Sequence, residues 1–217
     1  MTVRGTLQTV GCRDLSLAFD TVNGMPRDPS ATRAELLAAA RDEFAAHGVG
    51  GARVARIAER AGVNKERIYG HFGSKEALFE EVMVDVLHEH TAALGLPSGD
   101  LAAYVGRIYD FHRENPQLLR LLMWEALHYG DQGSLPRHEE RSRHYARKVQ
   151  ALADALDAPA DVHAATMLIT LIGLAAWPST LPQLTGLILE RFDEPGKASA
   201  QLREQLMETT RRMVGDR

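Results

Sequence analysis

From residue 32 onward, apolar side chains recur every three or four positions, the period of an amphipathic helix. No stretch alternates apolar and polar residues between hairpin turns, so no strand is predicted. Thr32-Arg-Ala-Glu35 reads as a capping box that opens a first helix. Leu36, Leu37, Ala40, Phe44 and Ala45 share its face, and Gly48 stops it before a Gly50-Gly51 loop. Val54, Ile57, Ala58 and Ala61 predict a short second helix closed by Gly62. Asn64 caps a third, which carries Ile68, Tyr69 and Phe72. Ser74 caps a fourth, whose Leu78, Phe79, Val82, Met83, Val86 and Leu87 form a wide stripe. Further helices are predicted near 100–113, 116–130, 136–157, 160–176, 181–191 and 196–214. The breaks between them fall at Asn115-Pro116, Gly130 to Gly133, Ala158-Pro159, Trp177-Pro178 and Glu194-Pro195-Gly196. Residues 1–29 have no apolar period and read as a flexible extension, with Met25 as an alternative translation start. The expected fold class is all-α.

Composition fits a soluble globular protein: of 217 residues, 45% are hydrophobic and 25% charged, which excludes chain-wide disorder. The single Cys12 excludes an intramolecular disulfide and suits a reducing compartment. The fourteen-residue apolar run from Ala164 to Trp177 is shorter than the roughly 18–20 residues that span a bilayer, and reads as a buried helix. The N-terminus lacks the continuous apolar segment of a signal peptide. These features predict a cytoplasmic protein with no membrane partner. Net charge is −4, but it is unevenly spread. Residues 30–75 carry eight Lys and Arg against five Asp and Glu, while residues 76–217 carry fourteen against twenty-one. A small basic segment joined to a larger acidic one points to an anionic partner for the first.

The segment from Val54 to Phe72 supplies that partner's chemistry. Two short helices meet at Ala61-Gly62-Val63-Asn64, where glycine permits the sharp turn, alanine the close approach, and Val63 fills the angle. This is the arrangement of a helix-turn-helix, whose second helix lies in the DNA major groove.

At these residues the chain resembles the tetracycline-repressor (TetR) family of bacterial regulators. The resemblance rests on Thr32 to Gly48, on Val54-x-x-Ile-Ala-x-x-Ala-Gly-Val63, and on Lys65-x-x-Ile-Tyr69-x-His-Phe72-x-Ser-Lys-Glu-Ala-Leu78. It covers about 47 residues, roughly a fifth of the chain. It implies an all-α homodimer with an N-terminal three-helix DNA-binding domain (30–75) and a larger helical domain (76–217) that dimerises and binds a small effector. It also implies site residues. Lys65, at the start of the recognition helix, meets a phosphate or a guanine, and Tyr69 and His71 meet phosphates. Lys75 does so beside the N-terminus of its own helix. Arg67 stands where the family reads bases and suits guanine N7 and O6. Asn64 belongs to the same surface. Two departures from the family matter. Glu66 stands where the family has a small residue, and either accepts from cytosine N4 or repels phosphate. Ala52-Arg53 replaces the hydroxyl residues that cap the second helix, although Arg53 itself reaches toward phosphate.

Tyr104, Phe111, Met123, Trp124, His128, Tyr129, Met167 and Trp177 are the candidate pocket residues for an unknown small-molecule effector, being aromatic, polarisable or polar-tipped groups on apolar helices. The small-large alternation of Met167 to Ala176, with Leu202, Leu206 and Met213, predicts dimerisation through helices near 160–176 and 196–214. The nine histidines show no metal-ligand spacing, so no metal is expected. There is no nucleophile–base–orienter set and no phosphate-cradling glycine loop, so neither catalysis nor a cofactor is expected. The reading is a DNA-binding regulator, a repressor released by its effector. The alternative is a small helical ligand-binding protein or enzyme with an incidental helix pair.

Overall fold

The computed structural model describes residues 29–130, 135–192 and 197–215. Within them the chain forms ten helices and no strand: α1 (Pro29–Gly51), α2 (Val54–Ala61), α3 (Lys65–Phe72), α4 (Lys75–Leu94), α5 (Leu101–Glu114), α6 (Pro116–Tyr129), α7 (His138–Ala155), α8 (Val162–Thr180), α9 (Pro182–Leu189) and α10 (Ala198–Val214). Residues 1–28 of the expected N-terminal extension, Cys12 and Met25 among them, lie outside the described residues, as does Glu194-Pro195-Gly196.

Two cores organise the molecule. The first joins Leu36, Ala40 and Phe44 of α1, Ile57 of α2, Ile68 of α3, and Phe79 and Met83 of α4; Leu118 and Leu121 of α6 complete it. Phe44 meets Phe79 edge to face at 5.2 Å. The second gathers Tyr104, Val105 and Ile108 of α5, Leu152 of α7, Leu168 and Leu171 of α8, and Leu206 of α10. Helix α10 is further fixed to α5 by Arg203, whose Nε donates to both oxygens of Asp110 at 3.0 and 2.8 Å.

Three sequence expectations need correction. Helix α1 opens at Pro29, not at a Thr32 cap, because proline's fixed φ and missing N–H suit a first helical position. Its break is at Gly48 (φ 65°, ψ 179°), as predicted, but one further helical turn follows where a loop was expected. Helix α8 runs through Pro178 to Thr180 instead of ending at Trp177. Pro178 sits in the last turn: it cannot donate to the Leu174 carbonyl, but little helix follows for a kink to disrupt. The Thr185 hydroxyl donates to the Pro178 carbonyl at 3.2 Å, and that of Thr180 to the Ala176 carbonyl at 2.9 Å.

By length and composition α8, at 19 residues, is apolar enough to cross a membrane, and only 28% of its most apolar window is buried. Val162, Ile169 and Trp177 of α8, Leu184, Leu187 and Ile188 of α9, and Phe192 are all exposed. That is a far larger apolar face than scattered surface residues produce. Its extension over α9 was not foreseen from sequence.

Candidate nucleic-acid interface and buried polar cluster

The turn between α2 and α3 depends on Gly62, which is left-handed (φ 63°, ψ 32°). Its N–H bonds the Glu59 carbonyl, and that of Val63 bonds the Ala58 carbonyl at 3.0 Å. Asn64 then caps α3, its Oδ1 accepting the Arg67 N–H at 2.8 Å. Ser74 caps α4 by accepting the Ala77 N–H at 3.0 Å.

Helix α2 has no hydroxyl cap of its own, and the structure supplies one from α1. Glu43 is 1% exposed. Its carboxylate accepts the Arg53 N–H at 2.9 Å and the Arg56 Nε–H at 2.8 and 3.0 Å. Burial alone would raise this carboxyl's pKa, but the Arg56 and Arg53 hydrogen bonds outweigh burial and hold it below the usual carboxylate range. Sequence reasoning missed Glu43; the signal was a carboxylate inside the apolar face of α1 beside an uncapped α2.

One hollow is lined by Arg53, Lys65, Tyr69 and Lys75, together with Ser74 and Glu76. It gathers three cations and the N-termini of α2 and α4, an arrangement suited to phosphate oxygens. Tyr69 is 42% exposed, and Lys65 Nζ lies 5.7 Å from its ring centroid. Lys75 Nζ is 3.5 Å from the Ala52 carbonyl at the entry to α2. Glu66 and His71 are exposed on α3, and Arg67 is half-buried; none of the three lines the hollow. The face of α3 that carries these groups is polar, and Ile68 alone is fully buried beneath it.

The pocket candidates do not all converge on one place; Tyr104, Phe111 and Met167 meet in the second core, and the rest are dispersed. Trp124 packs over Gly48, and a Cβ built on that glycine would lie 2.6 Å from two Trp124 ring carbons. His128 is exposed and meets the Tyr129 ring edge-on, while the Tyr129 hydroxyl donates to Glu80 at 3.3 Å. Burial, then Glu80, push the Tyr129 hydroxyl up to about 12. Met123 faces outward, Met167 packs on the second core, and Trp177 lines an outer groove between α8, α9 and α10.

Tyr104 and Phe111 belong instead to a buried polar cluster that the sequence did not reveal. Phe111 is edge-on to His90 and to His112, and the two imidazoles stack at 5.5 Å. Burial, then the Lys148 charge, lower His90 to about 3 and His112 to about 4, so both are neutral near pH 7. Burial pushes the Tyr104 hydroxyl up to about 12 and the Lys148 ammonium below its ordinary value. Nearby, Glu125 is 3% exposed and is held by Arg141 through two bonds of 2.8 Å. No group of three or more His, Cys, Asp or Glu among the described residues is placed to hold a metal.

Comparison with known proteins covers both halves of the chain. The family model for bacterial regulatory proteins of the tetR family matches residues 36–82, and that for the tetracyclin repressor-like C-terminal domain matches residues 100–212. The HTH-type transcriptional repressor SCO4008 of Streptomyces coelicolor is 36% identical over 191 residues, covering 87% of this chain and 97% of that protein. The HTH-type transcriptional regulator RutR of Escherichia coli is 34% identical over 116 residues, covering 51% of this chain and 55% of its own length. Among solved structures, a Streptomyces coelicolor protein described as a transcriptional regulator, SCO4942, superposes with a TM-score of 0.70 at 29% identity, covering 84% of this chain and 97% of that one.

Proposed function

The chain belongs to the tetR family of bacterial regulatory proteins and is a DNA-binding transcriptional repressor, and on that premise we propose how it grips and releases its operator. The observation that carries the reading is the hollow shared by Arg53, Lys65, Tyr69 and Lys75 at the mouths of α2 and α4. These four groups and His71 take phosphates. Arg67 and Glu66 read bases from α3, and Asn64 sets the pitch of that helix by capping it. Residues 30–75 act as the DNA-binding unit, and residues 76–217 dimerise and bind the effector.

Dimerisation uses α8 and α10, with α9 flanking them. The exposed Val162, Ile169 and Trp177 support this reading, because such a face in water needs a partner. A cytoplasmic homodimer then presents its two α3 helices about 34–36 Å apart, one turn of DNA. The effector acts by population shift. To weaken operator binding a hundredfold, it must favour the released state by about 2.7 kcal/mol. Helix α6 is suited to carry the change. It contributes Leu118 and Leu121 to the first core, rests Trp124 on Gly48 of α1, and holds α7 through Glu125 and Arg141.

The test is selection of bound fragments from the source genome by the purified protein, followed by anisotropy titration. Wild type selects a near-palindromic site, and Arg67→Ala and Tyr69→Ala lose it while keeping their fold. A folded dimer that selects no site, with or without a metabolite extract, refutes the reading.

A further inference from the structure

Lys148 is 2% exposed, yet its ammonium has no carboxylate within ion-pair distance and no hydrogen bond among the described residues. The Tyr145 ring, itself 47% exposed, lies 5.9 Å from it. A buried lone cation is among the costliest groups a protein can carry, and natural chains pair or ligate it. Two polar atoms of α5 add to this unsatisfied set. The Tyr104 hydroxyl and His112 Nδ1 are buried with no hydrogen-bond partner. Tyr104 and His112 lie two turns apart on one side of α5, and Lys148 comes from α7. Tyr145 links them, acting electrostatically on Tyr104 and lying beneath the Lys148 ammonium.

The acids of this region are already committed. Glu125 is taken by Arg141, Asp110 by Arg203, and Glu80 by the Tyr129 hydroxyl. His90, His112 and His144 all lie within the field of Lys148, and burial keeps the first two neutral near pH 7. The buried part of the cluster thus holds one cation with several neutral donors and no anion, and a second cation, the exposed Arg107, lies 5.5 Å over the outer face of the Tyr104 ring. The backbone of α7 packs on α8, whereas toward α4, α5 and α6 it reaches mainly with long side chains.

We propose that the effector of this repressor is a small organic monocarboxylate, bound where α4, α5 and α7 meet. Its carboxylate sits on Lys148 and accepts from Tyr104 and His112, and its apolar body lies against Phe111 and Tyr145. The assignment rests on the effector-regulated reading above. A single buried cation sets the charge, since Arg107 beside Tyr104 is exposed to water: a phosphate ester carries about −1.5 to −2 near pH 7 and would leave much of its charge buried without a partner. The aromatic neighbours favour an apolar body over a sugar.

The test is calorimetric titration of the full chain with butyrate, octanoate, benzoate and phenylacetate, with benzamide and phenyl phosphate as controls. At least one carboxylate binds, benzamide does not, and phenyl phosphate binds more weakly than benzoate. Lys148→Met, which removes the lone cation but keeps the stem, melts no lower than wild type and weakens the carboxylate by at least about 30-fold. Tyr104→Phe weakens it by a smaller factor. The assignment is overturned if no carboxylate binds, if benzamide binds as well as benzoate, or if Lys148→Met retains wild-type affinity. A melting temperature of Lys148→Met far below wild type also overturns it, because Lys148 would then be paired within the fold. Operator anisotropy separates the two levels of the argument. Carboxylate binding without operator release keeps the site and refutes effector control, whereas operator release by ligands indifferent to Lys148→Met keeps effector control and refutes the site.

Discussion

Substituting Gly48 with alanine tests the joint between the DNA-binding helices and the rest of the molecule. Gly48 has φ 65° and ψ 179°, a backbone region open almost only to glycine. Holding alanine there costs about 1–3 kcal/mol. The new Cβ would also lie 2.6 Å from Trp124 Cδ2 and Cε3, and relieving that overlap by moving α6 or the indole costs about 1–3 kcal/mol. The stiffer unfolded chain offsets roughly 0.4–1 kcal/mol. The net expectation for Gly48→Ala is a loss of about 1–5.5 kcal/mol, measured by urea unfolding at one fixed protein concentration, since a dimer's stability depends on it. Trp124→Leu removes the overlap but not the backbone strain. The double variant is therefore less destabilised than the sum of its parts, with a coupling of about 1–3 kcal/mol. A Gly48→Ala loss under about 0.5 kcal/mol refutes the reasoning about strain. Additive effects in the double variant refute the Trp124 contact.

Glu43→Ala removes the cap of α2 and the partner of Arg56, and is expected to cost about 2–3 kcal/mol by urea unfolding. Glu89→Ala, which breaks an exposed 2.8 Å pair with Arg41, costs under about 1 kcal/mol; equal losses would show that Glu43 has no special role. His112 falls to about 4 in the fold from an ordinary 6.5, so the unfolded chain takes up the proton first. Stability attributable to it is full above pH 6.5 and declines as pH falls toward 4, by up to about 1.4 kcal/mol per pH unit, and His112→Gln flattens that decline. Ile169→Asp, on the exposed face of α8 (71% exposed), yields a monomer by sedimentation equilibrium; a dimer of wild-type strength would move the interface elsewhere.

The helix-turn-helix was legible because its determinants are local. The Val54, Ile57, Ala58, Ala61 spacing, the Gly62 turn and the Asn64 cap all lie within eleven residues, and each forms as its residue type dictates. The course of α8 through Pro178 was not legible. The consequence of a proline depends on its distance from a helix end, and that end was itself unknown. Long-range pairs were equally hidden. Glu43 caps a helix ten residues away, and Trp124 meets a glycine 76 positions before it in sequence. Lys148, Tyr104 and His112 lie on α5 and α7, which no periodicity connects. Taken singly, Lys148 reads as a surface lysine, and only its burial gives it meaning. Of the aromatic set offered as one pocket, Tyr104, Phe111 and Met167 share the second core, while Trp124, His128 and Trp177 lie elsewhere.

The most direct test of the account is the salt dependence of operator affinity, measured by anisotropy for wild type, Arg53→Ala, Lys65→Ala and Lys75→Ala. If the hollow at the mouths of α2 and α4 seats phosphates, each variant weakens binding at every sequence tested. Each also lowers the slope of log K against log salt by about one. Variants that bind with the wild-type slope would contradict the account, placing the DNA on another face of the molecule.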